Sequence, residues 1–467
     1  MVSLNLLIKP FWIFGIDMSV QNTVGAEEYG FYFALFNFSL LLNIFLDFGI
    51  TNFNNRNISR HHYLVGKHFS NIIGLKFILG LFYLVLILAG ALLIGYDDRQ
   101  IKFLMLLAAN QFLLSFIMYI RSNVSGLQLF KIDSLLSVMD KVLMILIVGF
   151  LLLWYRDVFR IEWFVYSQSA AYILTGLVAF IVIRSKSDRF KPVINFSFFR
   201  VILKKSFPYA LLVLLMTFYS RIDSVLIERL LSDGETQAGI YAHGYRILDA
   251  ASQFALLFGT LLLPMFSKML INKENINRLV KISFLLLVLP ALIIAINFFF
   301  YKNDIIYVLY NEHIDESGKV FGFLILGFVP ISISYIFGTL LTANGNLRAL
   351  NIMAASGVVL NLTLNFILIP ELKAYGAAIS GLITQSITAI LQVVIAFRIF
   401  KFKIKFKIPG TILAFTLWII LTSYISTEYI INRPIALTIS LILGILSAFA
   451  FKLIEIKTLF KILKNED

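Results

Sequence analysis

Cysteine is absent from all 467 residues, so neither a disulfide framework nor a thiolate metal site can be built from this chain. Histidine is scarce too. The five lie at His61, His62, His68, His243 and His313, and no two have the helical spacing that holds zinc in a metalloprotease. Gly-rich phosphate loops, a GxSxG elbow and DxD-like carboxylate pairs are missing from the connectors. Long connectors are missing as well: the largest on the outer side runs roughly from Tyr301 to Lys319, little room for the acceptor site and acid/base groups of an enzyme that builds or joins sugar chains. Within it, Glu312, His313, Asp315 and Glu316 read as a solvated loop tip and not as a metal site. No cofactor is implied, and the expectation is transport without bond chemistry.

What is present in excess is apolar surface. A chain that is 60% hydrophobic, with a mean hydropathy of +0.88, carries more than a soluble core can bury. Apolar runs of about 20 residues, long enough to cross a bilayer, recur throughout. Fourteen are counted, the first from Leu4 to Val24 and the last from Pro434 to Phe451, which predicts an all-α polytopic membrane protein. The first run has no basic leader and no small-residue cleavage site, so it is expected to be retained as a span. Most of the 40 Lys and Arg fall in connectors that share one side, the richest being 184–205 and 398–407, while acidic residues gather opposite. The positive-inside bias therefore predicts both termini in the cytoplasm. The net charge of +14 belongs to lysines and arginines beside helix ends, where they meet anionic lipid heads, and not to a nucleic-acid surface. KFKIKFK (401–407) and the tail from Lys452 to Lys464 are expected to lie along the membrane surface.

Against this background the stretch YSRIDSVLIERLL (219–231) stands out, because it sets four charges in the seventh span. A central charge costs about 2.5–3.5 kcal/mol on an insertion scale, and each Leu or Ile returns only about 0.3–0.6, so these groups cannot all face lipid. Glu228 and Arg229, near the outer end, are expected to snorkel. Arg221 and Asp223 are too deep for that. Thr217, Ser220, Arg221, Ser224 and Glu228 form one helical stripe, and Arg246, Asp249 and Gln253 repeat the device in the eighth span. Earlier, Asn43, Asp47, Thr51 and Asn54 recur at helical spacing and end near Arg56, while Asp17 has Gln21 one turn on. Two readings stand: these groups line a watery cavity, or they form neutralised pairs such as Arg246 with Asp249 that lock helices together. Lys76, Asp140 and Lys141 read as interfacial or locally paired. If the cavity exists, Arg221 and Arg246 suit an anionic head group, since guanidinium forks match phosphate oxygens, and the amides and hydroxyls around them suit sugars.

EEYGFY (27–32) and TQAGIY (236–241) each precede a polar-bearing span, which suggests a six-plus-six duplication with two appended spans. The expected organisation is an amino-terminal six-helix bundle over 1–190, a basic cytoplasmic linker over 191–206, a second six-helix bundle over 207–400, and two further spans with a basic tail over 401–467. Pro10, Pro264, Pro290 and Pro330 fall within spans and are candidates for bends.

VGAEEYG (24–30), FGITNFNNRN (48–57), RIDSVLIERLLSDGETQAGIYAHGYRILDA (221–250) and LNLTLNFILIPELKAYGAAISGLI (360–383) resemble, in order, the polysaccharide-biosynthesis flippases of the multidrug/oligosaccharidyl-lipid/polysaccharide exporter superfamily. The most specific part is Asn361, Leu364, Asn365, Leu368, Ile369 and Pro370, followed by Gly376, Ala377 and Ala378. The resemblance implies two six-helix bundles in a V, two more helices and a bacterial inner membrane. It implies export of an undecaprenyl-pyrophosphate-linked O-antigen, capsule or exopolysaccharide repeat unit by alternating access. By position it assigns the substrate to Arg221, Arg246 and Arg56, and coupling by H+ or Na+ to Asp17, Asp47 and Asp223; by helical spacing, Asp249 is a further coupling or cavity acid, and Asn43, Gln253 and Ser224 are cavity lining. A polysaccharide polymerase and glycosyltransferases are the implied protein partners, with membrane lipids around the chain. Members usually have a longer cytoplasmic lead than the one before Leu4. Two alternatives remain: a multidrug/cation antiporter of the same superfamily, against which the buried arginines argue, and a membrane glycosyltransferase or polymerase, against which the short loops argue.

Overall fold

The structure is a computed structural model that describes residues 8, 10–60, 65–185, 196–402 and 407–453. Among these residues the ordered elements are all helical. Residues 186–195 of the basic connector, residues 403–406 of KFKIKFK and the basic tail beyond Leu453 lie outside the described residues. Chain contacts divide the protein into two compact units, Met1–Gly239 and Ile240–Asp467.

Unit 1 opens with a π-helical turn, Trp12–Asp17, that runs into α1 (Met18–Leu41). Gly25, at φ 82, breaks α1 into two helices, a conformation glycine adopts without a Cβ penalty. A 3-10 turn, Asn43–Leu46, follows, and then α2 (Ile50–Arg60). Long helices complete the unit: α3 (Val65–Ile94), α4 (Asp98–Gly126), α5 (Phe130–Trp154), α6 (Ile161–Arg184) and α7 (Phe196–Leu230), with the first residues of α8 (Gly234–Ile271). Helix α4 starts on a capping box in which Asp97 accepts from the Gln100 amide and Gln100 accepts from the Asp97 amide, satisfying two otherwise orphaned donors. Ile58, Phe69, Ile72, Leu75, Ile120 and Ile183 belong to one buried apolar cluster that ties α2, α3, α4 and α6 together. Elsewhere the backbones themselves meet. A Cβ on Gly30 would stand 1.8 Å from the Glu235 carbonyl oxygen, and one on Gly239 would stand 1.9 Å from that of Ala26, so α1 crosses the start of α8 with no space for a side chain.

Unit 2 holds the rest of α8, then α9 (Asn277–Phe300), the short α10 (Lys302–Leu309), α11 (Ile314–Leu326), α12 (Phe328–Ala343), α13 (Leu347–Phe400), α14 (Lys407–Tyr429) and α15 (Arg433–Ala450). Helices α14 and α15 dock on α9 through Leu289, Ile293, Ile296, Phe415, Ile419 and Ala448. Asn297, Ser423 and Ser440 form a buried hydrogen-bonded chain beside them, the kind of polar contact that joins helices in lipid. The signature stretch forms the bend of α13. Lys373, at φ 53 and ψ −137, divides the 54-residue element after Pro370, and a Cβ on Gly376 would stand 2.3 Å from the Leu368 carbonyl oxygen. Ser380 donates to the Asn361 carbonyl at 3.2 Å, and Ala377 and Ala378 are fully buried, so the motif is a helical hairpin closed on itself.

Among the described residues, eleven helices are long and apolar enough to cross a membrane. Counting α13 twice at its bend, and adding the two amino-terminal spans interrupted at Gly25 and after Leu41, gives about the fourteen expected from the sequence. Of the prolines, Pro264 and Pro290 lie inside α8 and α9.

Closing these backbone contacts to a methyl group should destabilise each unit separately. Gly30→Ala and Gly376→Ala are each expected to cost about 1–3 kcal/mol by overpacking, and Gly410→Ala, which meets open space, nothing measurable. Thermal unfolding of the three variants in detergent checks the order.

Candidate functional site

The polar residues of the second expected span do not share one helical face, because the helix stops beneath them. Leu42 leaves the helical region, Asn43 starts the 3-10 turn, and Phe48 and Gly49 take positive φ values of 45 and 79 before α2 begins. A broken helix exposes carbonyls and amides that hydrocarbon cannot satisfy, each at several kcal/mol. Protein groups satisfy them here. Tyr83 donates to the Ser39 carbonyl at 2.7 Å, and Lys76 donates to the Leu46 carbonyl at 2.9 Å. The Asp47 carboxylate accepts from the Thr51 amide and hydroxyl, capping α2. Lys76 is 1% exposed, and its ammonium also reaches Asp47 at 2.5 Å and Ser115 at 3.0 Å. Asn43 donates to Gln111 at 2.9 Å, and Asn54 donates to Ser122 at 2.8 Å. Asp47 is thus both the cap of α2 and the counter-ion of Lys76. The side chain of Arg56 lies outside the described residues.

Asp17 ends the π-helical turn at 3% exposure. Its two oxygens each accept from the Tyr29 hydroxyl at 3.0 Å, and Gln21 donates to one of them at 3.3 Å. Such turns concentrate at functional sites. The Gln21 carbonyl oxygen is buried with no hydrogen-bond partner.

On α7, Arg221 lies past the midpoint of the apolar stretch Ser206–Leu230 and is half-buried, with its guanidinium 3.5 Å from the Asn37 side-chain oxygen on α1. Asp223 and Ser224 are buried at 3% and 1%. Glu228 and Arg229 do not both snorkel as expected. Glu228 is buried, pairs with Arg229 and accepts from Gln100 at 2.8 Å, because the capping residue of α4 offers it a donor that lipid does not. Arg229 also donates to Gln100 at 3.1 Å and stacks over Tyr96, whose hydroxyl is pushed well above the ordinary tyrosine range by burial, with the Glu228 carboxylate adding to it. In unit 2, Arg246 and Asp249 are half-buried and Gln253 is exposed, all on one face of α8 at i, i+3 and i+7.

The structure therefore joins Asp47 to Lys76, Asn43 to Gln111, Asp17 to Tyr29, and Arg221 to Asn37. Tyr29, Asn37, Gln100, Gln111 and Ser115 were not singled out from the sequence. Asn37, Gln111 and Ser115 sit in otherwise apolar runs, which was the available signal, but their partners are far along the chain; Tyr29 and Gln100 follow acidic or charged neighbours that masked them. Asp140 and Lys141 are locally paired at 3.1 Å.

Apolar helices at bilayer length, joined by short connectors and holding ionised groups inside, define a multi-pass α-helical membrane protein with a polar interior. Residues 14–270, more than half of the chain, match the family model described as polysaccharide biosynthesis protein, and the chain belongs to that family. No curated protein matches the sequence. Among solved structures, the lipid II flippase MurJ in an inward closed conformation is similar at a TM-score of 0.69 and 17% identity, over 96% of this chain and 98% of that one. An inward-facing multidrug resistance MATE family transporter of the MOP superfamily gives 0.65 and 16%, over 82% and 93%. A MOP superfamily transporter from Pyrococcus furiosus, described by the reverse polarity of its binding pocket, gives 0.55 and 15%, over 84% and 91%. At these identities the likeness establishes the fold.

Removing one member of the pair at the broken span leaves the other without its counter-ion. Lys76→Met and Asp47→Asn alone are each expected to lower stability by about 3–5 kcal/mol, and the double variant to recover most of that loss. Thermal unfolding of the four proteins in detergent gives the coupling directly.

Proposed function

We propose that the protein is a flippase that moves an undecaprenyl-pyrophosphate-linked oligosaccharide, an O-antigen, capsule or exopolysaccharide repeat unit, across the bacterial inner membrane by alternating access. The observation that carries this reading is Arg221, a guanidinium held at mid-span depth on α7 beside an amide oxygen. An ion so placed is costly unless it serves a passage, and a guanidinium matches the phosphate oxygens of a pyrophosphate. Arg246, on the polar face of α8, is the second phosphate contact, with Ser224 and Gln253 as partners for sugar hydroxyls. Membership of the polysaccharide biosynthesis family supports a glycan cargo, and the similarity in fold to a lipid II flippase supports a lipid-linked one.

Asp17 and Asp223 are the proposed coupling groups for H+ or Na+. A cation beside Asp17 would also give the Gln21 side-chain oxygen a partner, which supports placing the exchange there. Binding at a carboxylate changes the charge near the arginines and so biases loading against release. No bond of the cargo is made or broken.

A multidrug/cation antiporter is the second reading, favoured by the fold shared with MATE transporters. Cationic cargo is disfavoured by the arginines, and drug susceptibility of a deletion strain separates the two. The decisive experiment is reconstitution of the purified protein with a defined lipid-linked oligosaccharide, scored by access of the sugar to a reagent in the outer medium. Arg221→Ala with Arg246→Ala is expected to abolish that access and surface polysaccharide while leaving membrane insertion intact; normal polysaccharide in the double variant refutes the assignment. Asp17→Asn is expected to remove the dependence of flipping on an imposed ion gradient.

A further inference from the structure

We propose that unit 1 binds an anionic phospholipid in a groove between α3 and α7, with the phosphate held by Arg200 and Lys204 and an acyl chain lying over Leu75, Leu79 and Phe207. The inference rests on the chain being a multi-pass membrane protein and not on what it carries.

The groove has a volume of about 640 Å³, within the range of roughly 300–1,000 Å³ typical of ligand sites. Its floor is made by Leu75 and Leu79 of α3 and Phe199 of α7, all buried, and Phe207 stands exposed at its edge. Carbon lines almost all of it. In a bilayer such a groove is filled by hydrocarbon, because an empty one loses the dispersion contacts of every lining atom.

Its lip has the opposite character. Arg200 and Lys204 both line the groove, both are exposed, and they sit one helical turn apart on the same face of α7. The two cations lie just before Ser206, where the apolar stretch of α7 begins, and Leu75 lies just after Ile72, where that of α3 begins. Four expected spans separate these two starting points, so both lie on the same side of the membrane. Seven residues from Arg200 to Phe207 cover about 10 Å along the helix, the step from a head group to the upper part of its chain. Among the described residues no carboxylate pairs with Arg200 or Lys204. A guanidinium and an ammonium with no counter-ion, at head-group depth and beside a chain-shaped groove, match a lipid phosphate with no cationic group of its own. The groove also adjoins the broken span, since Ser206 lies 3.6 Å from the position a Cβ would take on Gly49. A lipid seated there braces α7 against α3 next to the break.

The test uses the full-length protein in vesicles, with Trp12, Trp154, Trp163 and Trp418 changed to Phe and Phe207→Trp as the reporter. Fluorescence quenching is measured with phosphatidylglycerol brominated on its acyl chains and with the same chains on phosphatidylcholine. Phosphatidylglycerol is expected to quench at a mole fraction lower by on the order of tenfold for two cations, and R200E with K204E to abolish the difference. R200Q with K204Q serves if charge reversal impairs folding. Equal quenching by the two lipids overturns the proposal, as does a preference that survives both double variants. Displacement by inorganic phosphate would mean a site for free anions. Displacement by undecaprenyl phosphate at lower mole fraction would mean a cargo site, and either result also overturns it.

Discussion

Hydrocarbon supplies no hydrogen-bond partner, and the interior of this protein is arranged around that deficit. Where the chain breaks after Leu41, the freed carbonyls and amides are met by Tyr83, Lys76 and Asp47. A lysine inside a membrane is ordinarily a liability. Here its three donors find a carbonyl, a carboxylate and a hydroxyl, so an irregular segment of backbone between apolar helices is held by protein groups. The break in turn lets Asn43 turn toward Gln111 and sets the start of α2 on the Asp47 cap.

Other ions obey the same constraint in different ways. Asp17 takes its donors from a glutamine one turn on and from a tyrosine beyond the Gly25 break, and Glu228 takes them from the cap of α4 and from its neighbour Arg229. Arg221 and Arg246 are less enclosed, half-buried on α7 and α8. The transport reading proposes these two arginines, charged groups on otherwise apolar helices, as the groups that meet the cargo.

The helices were readable in the sequence because apolar runs of bilayer length and basic connectors are local signals. The depth of Arg221 and Asp223 was readable for the same reason. The second span was misread in one respect: Asn43, Asp47, Thr51 and Asn54 recur at helical spacing, yet the helix ends before the first of them. Gly49 was the visible hint, but the groups that make the break affordable lie on α3 and α4. Periodicity reports local geometry, and a break inside a membrane is decided by distant donors. Glu228 shows the same limit, since its partner Gln100 is 128 residues away along the chain.

The eleventh-span signature carries a separate consequence. Its asparagines, proline and glycine shape a hairpin in which backbone meets backbone, so they answer to the packing of α13. Pattern searches built on that stretch will therefore gather proteins of common architecture and mixed physiology. Sorting such a collection by cargo calls for comparing the charged faces of α7 and α8, where the transport reading proposes that cargo is met.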